Sequence, residues 1–238
     1  MVDSYRKTDM KAEETLGRFM DRCFYKKLCA SNHLATFERK EDVNVQLSGV
    51  DVELNINGVK YLIDEKAALY YSNAMIPTFA FEIDSIQKNH EFPVPGWFIN
   101  QNLQTDYYML IWPNVKCEMI NNIWRRKNLE QLNDRDFTIV EAMLIKKSTL
   151  FEELEKMNCS LERLKIYAKK LREQMAGRQE TERSPCEGND NIKIVYSGKI
   201  KEQPINLVIN KKILKSLAVG MWLIAEDGYA TISLFQQT

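Results

Sequence analysis

The stretch Gly49–Ala67, GVDVELNINGVKYLIDEKA, decides the fold. Asn57-Gly58 stands between two alternating apolar/polar runs, the strongest short-range signal for a β-hairpin. A two-residue turn there pairs Ile56 with Val59, Leu54 with Tyr61, Val52 with Ile63, Asp51 with Asp64 and Val50 with Glu65. Side chains alternate across a strand. One face therefore carries Val50, Val52, Leu54, Ile56, Val59, Tyr61 and Ile63, and the other Asp51, Glu53, Lys60, Asp64 and Lys66. Directly opposed residues have Cβ atoms roughly 4.5–5.5 Å apart. Asp51 and Asp64 at that spacing repel, and a divalent cation between them removes the repulsion. Mg²⁺ is commonly held by one or two carboxylates together with water and phosphate oxygens. Lys66, one pleat further along, can orient an attacking water or stabilise charge developing on a phosphoryl group. The competing reading is a solvated acidic pair half-neutralised by Lys66. Leu62 on the same face and the apolar run Ala67–Tyr71 after Lys66 favour a partly buried strand end.

Outward from the hairpin, residues 9–28 read as a helix. Leu16, Phe19, Met20, Cys23 and Phe24 recur at helical spacing as one apolar stripe. Residues 31–42 are polar and irregular, and alternating runs over 43–71 predict short strands. Thr78–Ile86 predicts another strand, Phe92–Gly96 with Pro93 and Pro95 a loop, and 97–99 and 106–112 two more strands. A long helix is expected from about Thr138 to Met175. The polar stretch 177–191 predicts a flexible linker, and 192–238 reads strand, strand, helix, strand, strand. The expected organisation is a core over 1–130, a helical region over 131–176, the linker 177–191 and a strand-rich segment over 192–238 packed on the core. The fold class is mixed α/β.

Composition narrows the classes. The 238 residues carry 33 Lys+Arg against 33 Asp+Glu and are 45% hydrophobic. That length supports a substantial core, and zero net charge argues against bulk electrostatic adhesion to nucleic acid. No run of 18 apolar residues predicts a membrane span, and the first 30 residues lack a signal-peptide core. Five scattered cysteines without a CxxC pair, and only two histidines, argue against structural zinc. They are expected to be free thiols in a reducing cytoplasm. No GxSxG, P-loop, GxGxxG or HExxH motif is present.

Asp51 followed thirteen residues later by Asp64-Glu65-Lys66 resembles the PD-(D/E)xK, or restriction-endonuclease-like, nuclease superfamily. Its pattern is an Asp on one strand and (Asp/Glu)-x-Lys on the next, with a Glu on a preceding helix. Glu13 in Glu13-Glu14-Thr15-Leu16-Gly17-Arg18-Phe19-Met20 matches that helix position. Glu14 is the second choice, since it points nearly the opposite way from the stripe. Val50 stands where a Pro is often found, and Asp64 where Glu is commoner. The run 45–112 also resembles a bacterial and phage-type group in the superfamily, through QLSGVDV, IDEKAA, TFAFE, GWF and TDYY. That resemblance bears on the fold rather than on the substrate.

The resemblance implies a central mixed sheet flanked by helices, here extended by a long helix and a C-terminal β-rich segment. It implies Glu13, Asp51 and Asp64 around Mg²⁺ or Mn²⁺, the main-chain carbonyl of Glu65 as a further ligand, and Lys66 at the attacking water. The expected activity is metal-dependent hydrolysis of DNA. The alternative is a catalytically weak or inactive module of the same fold that binds nucleic acid or a partner protein. A homodimer is a further expectation. Gln46 and Ser48 can approach a phosphate, and Glu82 is a further carboxylate on a strand. Arg125, Arg126 and Lys127 beside Trp124 can follow a phosphate backbone. So can the row Lys165, Lys169 and Arg172, which a solvated helix face explains equally well.

Overall fold

A computed structural model describes residues 6–40, 48–87, 90, 92–186 and 189–234. The chain forms two compact units that alternate in sequence. Of the described residues, the larger takes those within 6–76, 104–147 and 217–234, and the smaller those within 77–103 and 148–216. They cut across the sequence blocks 1–130, 131–176, 177–191 and 192–238.

The larger unit is built on a seven-stranded mixed sheet. Numbered along the whole chain, its strands are β1 (Ala35–Arg39), β2 (Val52–Ile56), β3 (Val59–Ala67), β6 (Tyr107–Val115), β9 (Phe137–Lys146), β13 (Ala218–Ala225) and β14 (Gly228–Leu234). They lie in the order β1-β2-β3-β6-β9-β13-β14. β3 and β6 run parallel, and the other neighbours run antiparallel. A two-stranded ribbon, β7 (Cys117–Ile120) with β8 (Ile123–Arg126), follows β6.

The hairpin register is the expected one: Ile56 opposes Val59, Leu54 opposes Tyr61 and Val52 opposes Ile63. Asn57 and Gly58 have φ of 55° and 81°, the positive values a type I′ turn needs. A Cβ at Gly58 would meet nothing within 4 Å, so substitution there carries a purely conformational cost. Gly58→Ala is expected to lower stability by about 1–2 kcal/mol and Gly58→Asn by less. Urea unfolding measures both; equal costs would show that backbone handedness does not govern this turn.

One face of the sheet is covered by α1 (Arg6–Met20), a π-helical turn over Asp21–Tyr25, and α2 (Lys26–Ser31). The predicted stripe Leu16, Phe19, Met20, Cys23 and Phe24 is wholly buried, against Val52, Leu54, Ile63, Met109, Ile111, Ala142 and Trp222. Each large apolar side chain buried there contributes roughly 1.5–3 kcal/mol. Asp64 and Lys66, of opposite strand parity to Ile63, therefore lie on the other face.

The smaller unit has an antiparallel sheet in the order β10-β11-β12-β4-β5. Its strands are β4 (Thr78–Ser85), β5 (Val94–Pro95), β10 (Thr181–Cys186), β11 (Asn189–Ser197) and β12 (Ile205–Asn210). Three further α-helices lie among the described residues: α3 (Lys147–Lys156), α4 (Leu161–Met175) and α5 (Lys211–Leu217). α4 buries Leu164, Ala168, Leu171 and Met175, one face at helical spacing.

Several expectations are corrected. The long helix over 138–175 is a strand and two helices. Residues 137–146, FTIVEAMLIK, lie between β6 and β13 with Val140, Ala142, Met143 and Ile145 fully buried. A central strand buried on both faces shows a near-continuous apolar run, which periodicity alone does not separate from a helix. Asn158, at φ 60°, then ends the first helical stretch, and Ser160 caps α4 by accepting from the Arg163 N–H.

The linker over 177–191 is instead largely β10 and the start of β11. The irregular stretch 31–42 contains β1, and the loop 92–96 contains the short edge strand β5. Trp97–Ile99 form a turn rather than a strand. Cys159 and Cys186, both buried, form a disulfide, so only Cys23, Cys29 and Cys117 are free thiols. Spacing could not reveal that pairing, because it depends on β10 returning beside the start of α4. Among the described residues no helix is long and apolar enough to cross a membrane.

Candidate active site

The candidate site lies in the larger unit just before β2 begins, where β3 runs on past it. The turn at Ser48-Gly49, with Gly49 at φ 81°, is pinned from the segment before β6. Gln104 N–H donates to the Ser48 carbonyl (2.8 Å), and Thr105 Oγ1 donates to the Gly49 carbonyl (2.5 Å). Asp51 follows with its main chain tied on both sides. Its N–H donates to Ile63 O (2.9 Å), and its carbonyl accepts from Lys40 N–H (2.8 Å). Asp51 Oδ2 accepts from the Glu65 N–H (2.8 Å). The Asp51 carboxylate is thereby held against β3 between Asp64 and Lys66.

Asp64 is buried, at 1% exposure. Its Oδ1 accepts from Lys66 Nζ at 2.5 Å, while its Oδ2 is buried without a hydrogen-bond partner among the described residues. Burial pushes the Asp64 carboxyl up, Lys66 pulls it back and the Asp51 charge raises it again, to about 7. Lys66 is also shifted. Burial alone would lower it, but Asp64, Asp51 and Glu13 together hold it above the ordinary lysine range. Asp51, Asp64 and Lys66 thus share one electrostatic neighbourhood, and Glu13 acts on it from α1.

Glu14 does something else: it forms an exposed ion pair with Arg18 at 2.5 Å. Glu65 projects to the helix-covered face. Its Oε2 accepts from Arg39 Nη1 (2.8 Å) and its Oε1 from the Tyr25 hydroxyl (2.9 Å). Its carboxylate is therefore committed away from Asp64, which leaves only its main chain on the site's side. Among the described residues, no group of three or more His, Cys, Asp or Glu side chains is gathered closely enough to share one metal ion. Glu13 therefore does not complete a three-carboxylate cluster with the two aspartates.

Two residues escaped the sequence reading. Tyr108 lies directly beside Asp64 in the parallel β3–β6 register and is fully buried. Burial, followed by the Asp64 charge, raises its hydroxyl above the usual tyrosine range. Lys147 extends the same row. Ile145 opposes Tyr108 on β9, and two residues on, the Lys147 N–H donates to Asp106 O (2.8 Å). Burial lowers the Lys147 ammonium while Asp64 and Asp106 act against that shift. The signal for Tyr108 was the register of β3 and β6, and for Lys147 that of β6 and β9, which the helical reading of 138–146 concealed.

The remaining expected residues are not brought together here. Gln46 lies outside the described residues. Ser48 is half-buried in the pinned turn. Glu82 belongs to the smaller unit and accepts from Ser85 Oγ (3.1 Å). Arg125, Arg126 and Lys127 follow the far end of β6. From Tyr108 to that end, Val115, β6 measures about 23 Å at a strand's rise of 3.3 Å per residue. Lys127 is ion-paired to Asp136 (2.7 Å), and Arg126 donates to Leu69 O (3.3 Å), so both hold the β7–β8 ribbon in place. Trp124 beside them is exposed.

The raised Asp64 carboxyl has a measurable consequence. A group whose acid form is favoured in the folded state contributes stability below its unfolded value, and loses it as pH rises through the folded one. For Asp64 the window runs from about 4 to about 7. In chelator, Asp64→Asn is expected to melt above wild type at pH 8, with the difference vanishing by pH 4. Thermal melts across that range check it; a difference independent of pH would remove Asp64 as the titrating group.

Comparison of the chain with family models, curated proteins and solved structures returns no match.

Proposed function

We propose that the chain is a metal-dependent nuclease hydrolysing phosphodiester bonds in DNA, with its centre at Asp51, Asp64 and Lys66. One observation carries the reading. Two carboxylates share a strand-end site with a protonated lysine, and one of their oxygens is buried without a hydrogen-bond partner among the described residues. A buried polar atom left unpaired is costly, and such atoms concentrate where a ligand completes them. The donor set, hard oxygens of two aspartates and a main-chain carbonyl, suits Mg²⁺ or Mn²⁺. The restriction-endonuclease-like arrangement of the core is part of the same proposal.

Asp51 and Asp64 would hold the ion, with the Glu65 carbonyl beside them. A strand residue presents its N–H and C=O to the same neighbour, and the Glu65 N–H faces Asp51. Glu13, further out, acts on Lys66. When bound, the ion supplies Lewis-acid polarisation of the phosphoryl oxygen and a more acidic water. In the metal-free protein Asp64 and Asp51, with Glu13 further out, hold Lys66 protonated, and the work proposed for it is to orient the nucleophile and offset negative charge on the phosphoryl group. Lys147 presents a second cation further along the same row. Hydrolysis forms one bond from water oxygen to phosphorus and breaks one P–O bond, the departing oxygen taking a proton.

The test is incubation with supercoiled, linear, nicked and branched DNA in Mg²⁺, Mn²⁺ or chelator. A divalent ion that neither raises the melting temperature nor supports cleavage of any of these would overturn the proposal. A ligand that binds only the folded state at a hundred times its dissociation constant adds about 2.7 kcal/mol of stability. Mg²⁺ is therefore expected to raise the wild-type melting point at pH 8 and to leave Asp64→Asn unmoved.

A further inference from the structure

The smaller unit contains a groove of about 1020 Å³ between α4 and the β4–β5 edge. We infer that it binds a soluble small organic anion, one with an apolar body and a single acidic group. Its floor is apolar: Ile83 and Ala168 are buried, Ile99 nearly so, and Pro93 and Pro95 line one side. Ligand sites are typically concave, mostly apolar and marked by a few convergent polar groups. The volume matches a small molecule of that kind.

The polar groups come from α4. Ala168, Arg172 and Ala176 form one row at four-residue spacing, and Lys165, Lys169 and Glu173 form the next. The alanines leave the space open. Arg172 turns inward at 12% exposure, where Nε donates to Asp84 Oδ1 (3.0 Å) and Nη2 to Asp84 Oδ1 and to the Gln203 carbonyl. Those bonds hold the guanidinium plane. The row Lys165, Lys169 and Arg172 is therefore no continuous exposed track for a phosphate backbone.

The lining carries three cations against two carboxylates, Asp84 and Glu173. Lys165 also pairs with Glu162 at 2.7 Å, but exposed pairs of this kind are weak and exchangeable. Lys169 and Arg172 flank the apolar floor. An apolar body can displace water from Ile83 and Ile99 while its acidic group meets the lysine rim. A sugar–phosphate backbone would cover that apolar floor with polar groups.

The probe is 8-anilinonaphthalene-1-sulfonate, an aromatic body with one anionic group, titrated into the full chain. One saturable site per chain is expected. Decanoate should displace the probe, and decanol should do so at least tenfold less well. Ala168→Phe fills the floor and is expected to abolish binding. Lys169→Glu, at an exposed position, is expected to weaken it about tenfold with an unchanged melting curve. Should Ala168→Phe fail to fold, Lys169→Glu alone decides. Probe binding untouched by Lys169→Glu, decanol competing as well as decanoate, or no saturable site would each overturn the inference.

Discussion

Asp64→Asn is expected to lower Mg²⁺-dependent DNA cleavage by at least about a hundredfold to a thousandfold, the usual cost of losing one preorganised electrostatic group. The fold should survive. Asparagine keeps the shape of the side chain, and the buried carboxyl is already pushed towards its neutral form. Lys66→Ala is expected to match that loss for a different reason. It removes the cation proposed to face the phosphoryl group, and it also leaves Asp64 and Asp51 beside each other without the charge that offsets them. The double variant should be little worse than either single one, because residues acting as a unit are strongly non-additive. Cleavage rates with matched melting curves check this. Undiminished cleavage by both single variants would assign the activity elsewhere.

The largest effect on stability is expected at a residue that touches no substrate. Arg39 Nε donates to both oxygens of Asp21 (2.9 and 2.8 Å), its Nη1 to Glu65 and its Nη2 to the Gly17 carbonyl (3.3 Å). The Arg39, Asp21 and Glu65 side chains are only 22%, 20% and 10% exposed. Breaking one partner out of a buried pair costs about 3–5 kcal/mol, because the remaining charge stays buried. Arg39→Met should therefore destabilise by that order in urea. Adding Glu65→Gln should recover much of the loss, since an amide tolerates the site without a cation. Failure of the second substitution to compensate would show that Arg39 acts through packing alone. Cleavage should fall in Arg39→Met as well, because Glu65 stands between Asp64 and Lys66 and its main chain anchors Asp51.

The sequence made the hairpin legible because two short-range signals agreed there. Asn57-Gly58 demanded a turn, and the alternation set which residues share a face. The register, the commitment of Glu65 to the helix side and the buried stripe of α1 all follow from that local agreement. What stayed hidden was non-local. Phe137–Lys146 is a strand because β6 and β13 pair with its two edges, and nothing within those ten residues announces that. With it went the position of Lys147, and with that the row running from Asp64 through Tyr108. Charge in sequence carries no distance, and the triplet at 125–127 follows the end of β6 remote from Tyr108. The Cys159–Cys186 pairing depended on the same kind of information.

The alternation of the two units along the chain has a consequence for synthesis. The chain passes between them after residues 76, 103, 147 and 216, so no single cut separates one from the other. A ribosome delivers the β2–β3 hairpin early, and its contacts are local enough to form at once. β9, however, acquires its second neighbour only when β13 emerges, after the smaller unit has been made. Non-local pairings of this kind form slowly. During elongation one edge of β9 waits unpaired, exposing the strand whose far end positions Lys147. The nascent chain therefore passes through an interval in which the hairpin bearing Asp51 and Asp64 exists but the sheet around it is open, and a chaperone that shields apolar strand edges would act there.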